Sequence, residues 1–423
     1  MVKLPYGKTA IELKLPASDY KILKSNVDQL KSSEDGSVIV KRAMENPIGS
    51  KPLHELAENK NTAVIIISDH TRPVPSKDII PNMLKELRMG NPDIKITLLV
   101  ATGFHRATTK EELKLKLGED IVSSEDIVVH DCADIDSHVK FGVLPSGADL
   151  IINRIAAEAD LLIAEGFIEP HFFAGFSGGR KSVLPGICGR KTVLGNHCSK
   201  FIDSQYARAG ILERNPLHTD MIDGARKAGL AYIVNVIIDE NKKTVAAFAG
   251  DCIKAHETGC EFLKNYCKVK AETADIVITT NGGAPLDQNI YQSVKGLTAA
   301  EASAKENAVL IMCAELADGN GSNDFYEALK NCTSPGELYV QFMKTPQDET
   351  MPDQWEAQIL ARILLKHKVI FVTEPKMQKM IEEMKMIYAP DIETAVHMSK
   401  EIKGMNPSIT VIPDGISVIV EKD

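Results

Sequence analysis

The sequence predicts an α/β protein of two domains, each a mainly parallel sheet flanked by helices, with a candidate site in the cleft between them. Three observations predict this. A chain of 423 residues exceeds what one ordinary core supports. Short apolar runs alternate with stretches of helical spacing, the pattern of crossover units and a parallel sheet. Polar clusters follow directly on the apolar runs, where open parallel sheets bind ligands.

The first 60 residues read as a lead-in with a short strand pattern and helices. Ala63-Val64-Ile65-Ile66-Ile67 reads as a buried strand. Ser76 is expected to cap a helix carrying Ile79, Ile80, Met83, Leu84 and Leu87 at helical spacing. The next strand spans Ile94 to Val100. Thr109-Lys110-Glu111-Glu112 reads as a capping box. Ile127-Val128-Val129 and Leu161-Leu162-Ile163-Ala164 are further strands. Tyr232 to Ala249 reads as a hairpin turning at Asp239 to Lys243. A boundary near residue 270 divides a larger domain, 1–270, from a smaller one, 271–423. The C-terminal tail is expected to pack back on the first domain. Asp275 to Thr279, Val309 to Met312, Val369 to Val372 and Thr410 to Ile412 are its strands. A helix runs through Trp355 to Leu365, and the loop Gly319 to Asn323 is expected to be mobile.

Apolar residues make up 44% and charged residues 25% of the chain, the mix of a folded soluble protein. No apolar run reaches the ~18 residues of a membrane span. The start of the chain lacks the apolar stretch of a signal peptide, so a cytoplasmic location is expected. A net charge of −9 argues against nucleic acid and anionic membranes as partners. A small anion stays open, because a few local cations outweigh a distant negative surface. The eight cysteines include no C-x-x-C pair and read as reduced, buried thiols.

The chemistry-bearing residues cluster after four strands. Arg72 is a planar fork that suits a carboxylate or phosphate, and Asp69 could orient it or a nearby histidine. A plain loop ion pair is the alternative. His105, behind Gly103, suits proton transfer. The richest segment runs from His171 to Ser182, with apolar bulk, a glycine-rich bend and two cations. Such a bend, Ser177-Gly178-Gly179, can present backbone N–H groups to a phosphate. It is not an ATP-binding loop, because Arg180 stands where that motif needs glycine. Lys181 has Arg180 beside it. Like charge and burial would free its amine for covalent chemistry; the alternative is a phosphate-binding lysine. His197 is a candidate metal ligand, and His105, His171 and His197 together could hold zinc, although no pair has H-x-x-x-H spacing. Gln292 and Lys295 share a helix face, with Tyr291 one turn from Lys295.

At these residues the sequence resembles the nickel-dependent lactate racemase family, the nickel-pincer nucleotide enzymes. The resemblance rests on Ser68-Asp69-His70-Thr71-Arg72-Pro73-Val74-Pro75, Ala101-Thr102-Gly103-Phe104-His105-Arg106 and His171 through Gly186. It extends to Asn196-His197, to Pro285 through Gln292 with Lys295-Gly296, and to Pro352-Asp353-Gln354-Trp355. It implies racemisation of lactate, or a close 2-hydroxy acid, by reversible hydride transfer with two histidines as acid and base. The implied cofactor is a nickel-pincer pyridinium-3-thioamide-5-thiocarboxylate mononucleotide. By the resemblance, Lys181 forms its covalent tether and His197 ligates nickel. His105 and His171 move protons. Asp69, Thr71, Arg72, Ser177, Gly178 and Gly179 surround the cofactor. Arg72, Tyr291, Gln292, Lys295 and Trp355 meet the substrate. Cofactor-biosynthesis proteins are implied as transient partners, and a chain made without them is expected to lack the cofactor. Two rival readings remain at this point: a zinc-dependent hydrolase using His105, His171 and His197, and a non-catalytic binder of sugar or nucleotide phosphates through Ser177 to Lys181.

Overall fold

The strand Thr62–Ser68 carries a continuous apolar run because it is covered on both faces. Its alternation splits the run between two cores: Val64 and Ile66 join one, and Ala63, Ile65 and Ile67 the other. The computed structural model describes residues 2–404 and 406–421. In it this strand is central to a six-stranded sheet, ordered 244–250, 230–238, 161–167, 62–68, 95–101 and 126–129. Neighbours are parallel except at Thr244–Gly250, which closes the expected hairpin.

The second sheet is parallel throughout, ordered 387–389, 368–372, 304–313, 274–280, 409–412 and 21–22. The four expected strands are present. Ile387–Ala389 and Lys21–Ile22 add two that were not expected, both too short for periodicity to reveal. Lys21–Ile22 corrects the first boundary. The lead-in up to Ile22 belongs with the second sheet, and the hairpin Val2–Tyr6 with Thr9–Leu13 places Val2, Leu4 and Leu13 in that sheet's core, whereas the helices Gly36–Glu45 and Leu53–Ala57 bury Val40, Met44, Leu53 and Ala57 in the first sheet's core. At the other end Ile419–Glu421 pairs with Lys268–Lys270, and Ile419 packs among Ile168, Phe176 and Ile237 of the first unit.

The Thr109 capping box forms as expected, opening the helix Lys110–Leu117. Ser76 does not cap its helix. The hydroxyl instead donates to Glu165 Oε1 at 2.7 Å, because a buried carboxylate draws the donor inward. The Gly319 to Asn323 loop is tied down rather than loose. Its backbone accepts from Ile290 and Tyr291, and Ser322 donates to Asp353 at 2.6 Å. All eight cysteines are free thiols, six of them buried. Among the described residues no helix is long and apolar enough to cross a membrane.

In each sheet a switch point opens where neighbouring strands send their crossovers to opposite sides, 62–68 beside 161–167 and 274–280 beside 409–412. The helix Ile290–Ala302 leaves the second switch point and lies against Ala274–Thr280 at Gly296. A Cβ there would stand 2.5 Å from Asn281 Oδ1 and 2.9 Å from Thr280 O. Gly296→Ala should therefore push the helix off the sheet and cost about 1–3 kcal/mol of stability. Urea unfolding checks the loss, and the helix start bearing Tyr291 and Gln292 should shift with it.

Candidate active site

The loop after Thr62–Ser68 is organised by Asp69, whose carboxyl is buried. Its Oδ2 lies 2.6 Å from His105 Nδ1, and its Oδ1 accepts from the Thr71 hydroxyl at 2.7 Å and the Thr71 N–H at 3.2 Å. Burial would raise this carboxyl, but the His105 bond and charge, Arg72 and Thr71 hold it below the usual range. Asp69 therefore orients the histidine rather than Arg72. With Nδ1–H committed to a carboxylate, His105 keeps Nε2 as its proton acceptor.

Below this loop lies Glu165, at the end of Leu161–Phe167. Its Oε1 accepts from Ser68 N–H, Ser68 Oγ and Ser76 Oγ, and its Oε2 has no partner. Burial pushes its carboxyl up.

The bend from His171 to Ser182 is held from within. Arg180 is fully buried and donates to the carbonyls of Ala174, Phe176 and Gly178 at 2.7, 2.8 and 3.2 Å. Its Nε reaches His218 Nδ1 at 3.0 Å. Ser177 Oγ donates to Phe167 O and accepts from Glu169 N–H, while Gly179 N–H donates to Asn235 Oδ1 at 2.7 Å. The expected phosphate cradle is thus corrected: the Ser177 hydroxyl and the Gly179 N–H are already used, because the bend needs them to hold its own backbone. Gly178 has φ of 75°, and a Cβ there would stand 2.6 Å from Asn235 Oδ1. Only glycine fits.

This bend places Lys181 Nζ 3.3 Å from His171 Nε2. His171 Nδ1 accepts from Ala174 N–H at 3.2 Å. A neutral imidazole that accepts at Nδ1 carries its proton at Nε2, so on this network Lys181 is the acceptor and is an uncharged amine. Burial is the main reason. It drives Lys181 well below the ordinary lysine range, and the charges of Arg180, Arg72 and Lys295 add to the effect. Burial, with Lys181 and Lys295 beside it, likewise drives His171 well below the usual imidazole value.

His197 closes the helix Arg190–Asn196 and is buried. Its Nδ1 donates to Val193 O at 2.9 Å, and burial lowers its pKa to about 3. Its Nε2 lone pair is left without a hydrogen bond among the described residues. The rings of Trp355 and Phe173 pack against it at 4.9 and 5.4 Å. Across the cleft Trp355 Nε1 donates to the Tyr291 hydroxyl, which donates on to Asp353 Oδ1, both at 3.1 Å.

One cavity of about 420 Å³ gathers these groups. Asp69, Arg72, His105, His171, Ser177, Gly178, Lys181 and His197 line it from the first unit, and Tyr291, Gln292, Lys295 and Trp355 from the second. Thr71, which is exposed, and Gly179, which is buried, are not part of its lining. A larger cavity of about 1140 Å³, lined also by Glu169, meets it at His171, Phe172 and Lys295. The sequence reading missed Glu165, Glu169, Asp353 and Glu356. The strand-end position of the first two was a usable signal; the last two flank Gln354-Trp355 on a helix start, where carboxylates usually face solvent. The zinc-hydrolase reading finds no support: among the described residues no group of three or more His, Cys, Asp or Glu could hold a metal. The three histidines face different partners.

Fold and site define a two-domain α/β enzyme with imidazoles, an arginine and buried lysines gathered in one cleft. The family description "Lactate racemase N-terminal domain" matches residues 6–210, and "Lactate racemase C-terminal domain" matches residues 269–420. The chain belongs to the lactate racemase family, a family of isomerases. It is 53% identical over 422 residues to the lactate racemase of Thermoanaerobacterium thermosaccharolyticum, covering 100% of this chain and 99% of that one. It is 51% identical over 423 residues to that of Lactiplantibacillus plantarum, covering 99% of each. The solved lactate racemase apoprotein of T. thermosaccharolyticum superposes with a TM-score of 0.96 at 52% identity, covering 99% of both chains. A Thermotoga maritima protein shares the fold, with a TM-score of 0.66 at 16% identity over 93% of this chain and 100% of that one.

An uncharged amine predicts selective reactivity. In protein without a Lys181 adduct, an amine-reactive reagent at about pH 8 should modify Lys181 ahead of ordinary surface lysines, which are protonated there. Peptide mass mapping after brief exposure checks the order.

Proposed function

We propose that this protein interconverts D- and L-lactate, or a close 2-hydroxy acid, with a nickel-pincer pyridinium mononucleotide tethered to Lys181. One observation carries the reading: Arg72, Lys181 and Lys295 share a cavity with two imidazoles from separate loops, His105 and His171, and none of the three cations is in an ion pair among the described residues. The match to lactate racemases along the whole chain supports it. The loading proteins implied above and a cytoplasmic location belong to this reading.

The residues fit the implied cofactor. Lys181 is an uncharged amine, the form an acylation needs. His197 has one ring nitrogen fixed by a backbone carbonyl and the other bare, the arrangement of a metal-ligating imidazole. A lone imidazole suffices only for a metal whose other donors come from the ligand itself, as a pincer supplies them. When bound, the group supplies a reversible hydride acceptor.

The chain's own groups do the rest. Arg72 and Lys295 take the substrate carboxylate, the former through two parallel hydrogen bonds. That anchor lets the other end of the molecule turn while staying bound. His105 Nε2, aimed by the Asp69 carboxylate that holds Nδ1, takes the hydroxyl proton of one enantiomer. Acylation of Lys181 removes the lone pair that His171 Nε2–H meets, so the ring can give up the 3.2 Å bond from Ala174 N–H, carry its proton on Nδ1 and present a bare Nε2 to the other enantiomer. Two bases are needed because the hydroxyl of each enantiomer sits in a different place. Burial keeps His171 neutral near physiological pH, so it can accept a proton. Phe172, Phe173 and Trp355 keep water from the reacting atoms.

His105→Ala and His171→Ala should each lower kcat by about 10²–10⁴. The adduct on Lys181 should persist in both, by intact mass. Lys181→Ala should lose adduct and activity together. Chiral chromatography of lactate from protein loaded in its native host reads the outcome; full activity in either histidine variant would sink the assignment.

A further inference from the structure

Glu356, in the first turn of the helix Gln354–Lys366, is a buried acid that the mechanism above leaves unused. It lines the cavity, and both of its carboxyl oxygens lack a hydrogen-bond partner among the described residues. Lys295 lines the same cavity from the facing helix. Its Nζ lies 6.0 Å from the centre of the Phe172 ring and is in no hydrogen bond or ion pair among the described residues. A buried carboxylate without donors and a buried ammonium without acceptors are both poor ions.

The groups around the pair agree. Lys295 is faced by Arg72 from the Asp69 loop, by Glu169 and His171 from the next strand end, by Lys181 from the bend and by Glu356. Burial and then Arg72 push its amine down, while Glu169 and Glu356 oppose this. Glu356 is faced by Lys295, Asp353 and the Tyr291 hydroxyl. Burial pushes its carboxyl well above the usual range. With no donor on the carboxyl oxygens and no acceptor on the ammonium, burial in the one cavity favours the uncharged form of each.

An entering carboxylate reverses the balance, since an ammonium holds it far better than an amine does. We infer that Glu356 is the proton partner of Lys295: when the substrate carboxylate enters, a proton passes from the Glu356 carboxyl to the Lys295 amine, and the substrate is held by an ammonium. The Glu356 O–H bond breaks, the Lys295 N–H bond forms, and no proton is exchanged with solvent. Glu356 is a positioning residue that acts through Lys295. The inference rests on the lactate reading.

In cofactor-loaded enzyme, the KM for lactate should be flat from about pH 6 to about pH 9. In Glu356→Gln the amine must take its proton from solvent, so KM should rise about tenfold per pH unit above the depressed lysine value, with kcat changed far less. Adding Lys295→Arg should restore the flat profile, because a guanidinium needs no proton partner. A flat profile in Glu356→Gln, with racemisation intact, overturns the inference and leaves the lactate reading standing. Wild-type enzyme that carries the adduct yet does not racemise lactate overturns both. If Glu356→Gln fails to fold, calorimetry on the wild type decides. Lactate enantiomers have equal enthalpy, so the heat reports binding alone. Titrations at about pH 9 in two buffers of different ionisation heat should show no net proton uptake, and uptake of about one proton overturns the inference.

Discussion

Arg72, Lys181 and Lys295 converge on one cleft without a carboxylate bound to any of them. The chemistry of the site follows from that concentration of charge. Two like charges about 6 Å apart repel by about 3 kcal/mol at an effective dielectric near 20. A lysine relieves the repulsion by giving up its proton, whereas an arginine cannot. Burial acts in the same direction and more strongly, so the charge settles on Arg72 while the amine of Lys181, the proposed tether, loses its proton. His171, inside the same field, stays a neutral base. The residual positive potential is what a small carboxylate would neutralise. A chain with a net charge of −9 thus keeps a cationic pocket by placing it where the surface acids do not reach.

Holding such groups together demands a rigid frame, and Arg180 supplies it. Burying a guanidinium is costly unless its donors are satisfied. Here they meet three backbone carbonyls and two imidazoles of the surrounding structure, His218 and His256. The bend is thereby locked at several points on either side of Lys181. The neighbouring cation that lowers the lysine's basicity is also the clamp that aims it. Asp69 plays the corresponding part for His105, and Val193 O for His197. Each reactive ring has one nitrogen fixed by the scaffold and the other left for chemistry.

The strand ends were legible because β-branched runs and the polar residues after them are local signals. Thr62–Ser68 and Leu161–Phe167 read clearly, and with them Asp69, Arg72 and His171. The face shared by Tyr291, Gln292 and Lys295 followed from helical spacing. What sequence could not carry is direction. Arg180 read only as a second cation beside Lys181, yet it points inward, because nothing local reports the three carbonyls that await it. Ser177 and Gly179 read as a cradle, yet their groups close on Phe167, Glu169 and Asn235. Lys21–Ile22 was too short to show a period, and its partner Ile409–Ile412 lies almost the whole chain away. Glycine and asparagine made Gly319 to Asn323 look loose, but backbone bonds to Ile290 and Tyr291 anchor it.

Dividing the site between two sheets has a mechanistic consequence. The proposed base His105, the amine Lys181 and the imidazole His197 all come from the first unit, so their mutual positions are set before substrate arrives. The second unit brings Gln292 and Lys295, backed by the Trp355–Tyr291–Asp353–Ser322 chain of hydrogen bonds. Groups that must stay in register for proton transfer thus share one rigid body, while part of the substrate grip sits on the other. The crossing segments, Lys21–Ile22 and Ile419–Glu421, tie the two bodies at both ends of the chain. A racemase must let one end of its substrate turn without letting the molecule go. An anchor and a reaction face carried on separate, tethered bodies meet that requirement better than a single pocket matched to either enantiomer, because such a pocket would stabilise one hand and oppose its conversion to the other.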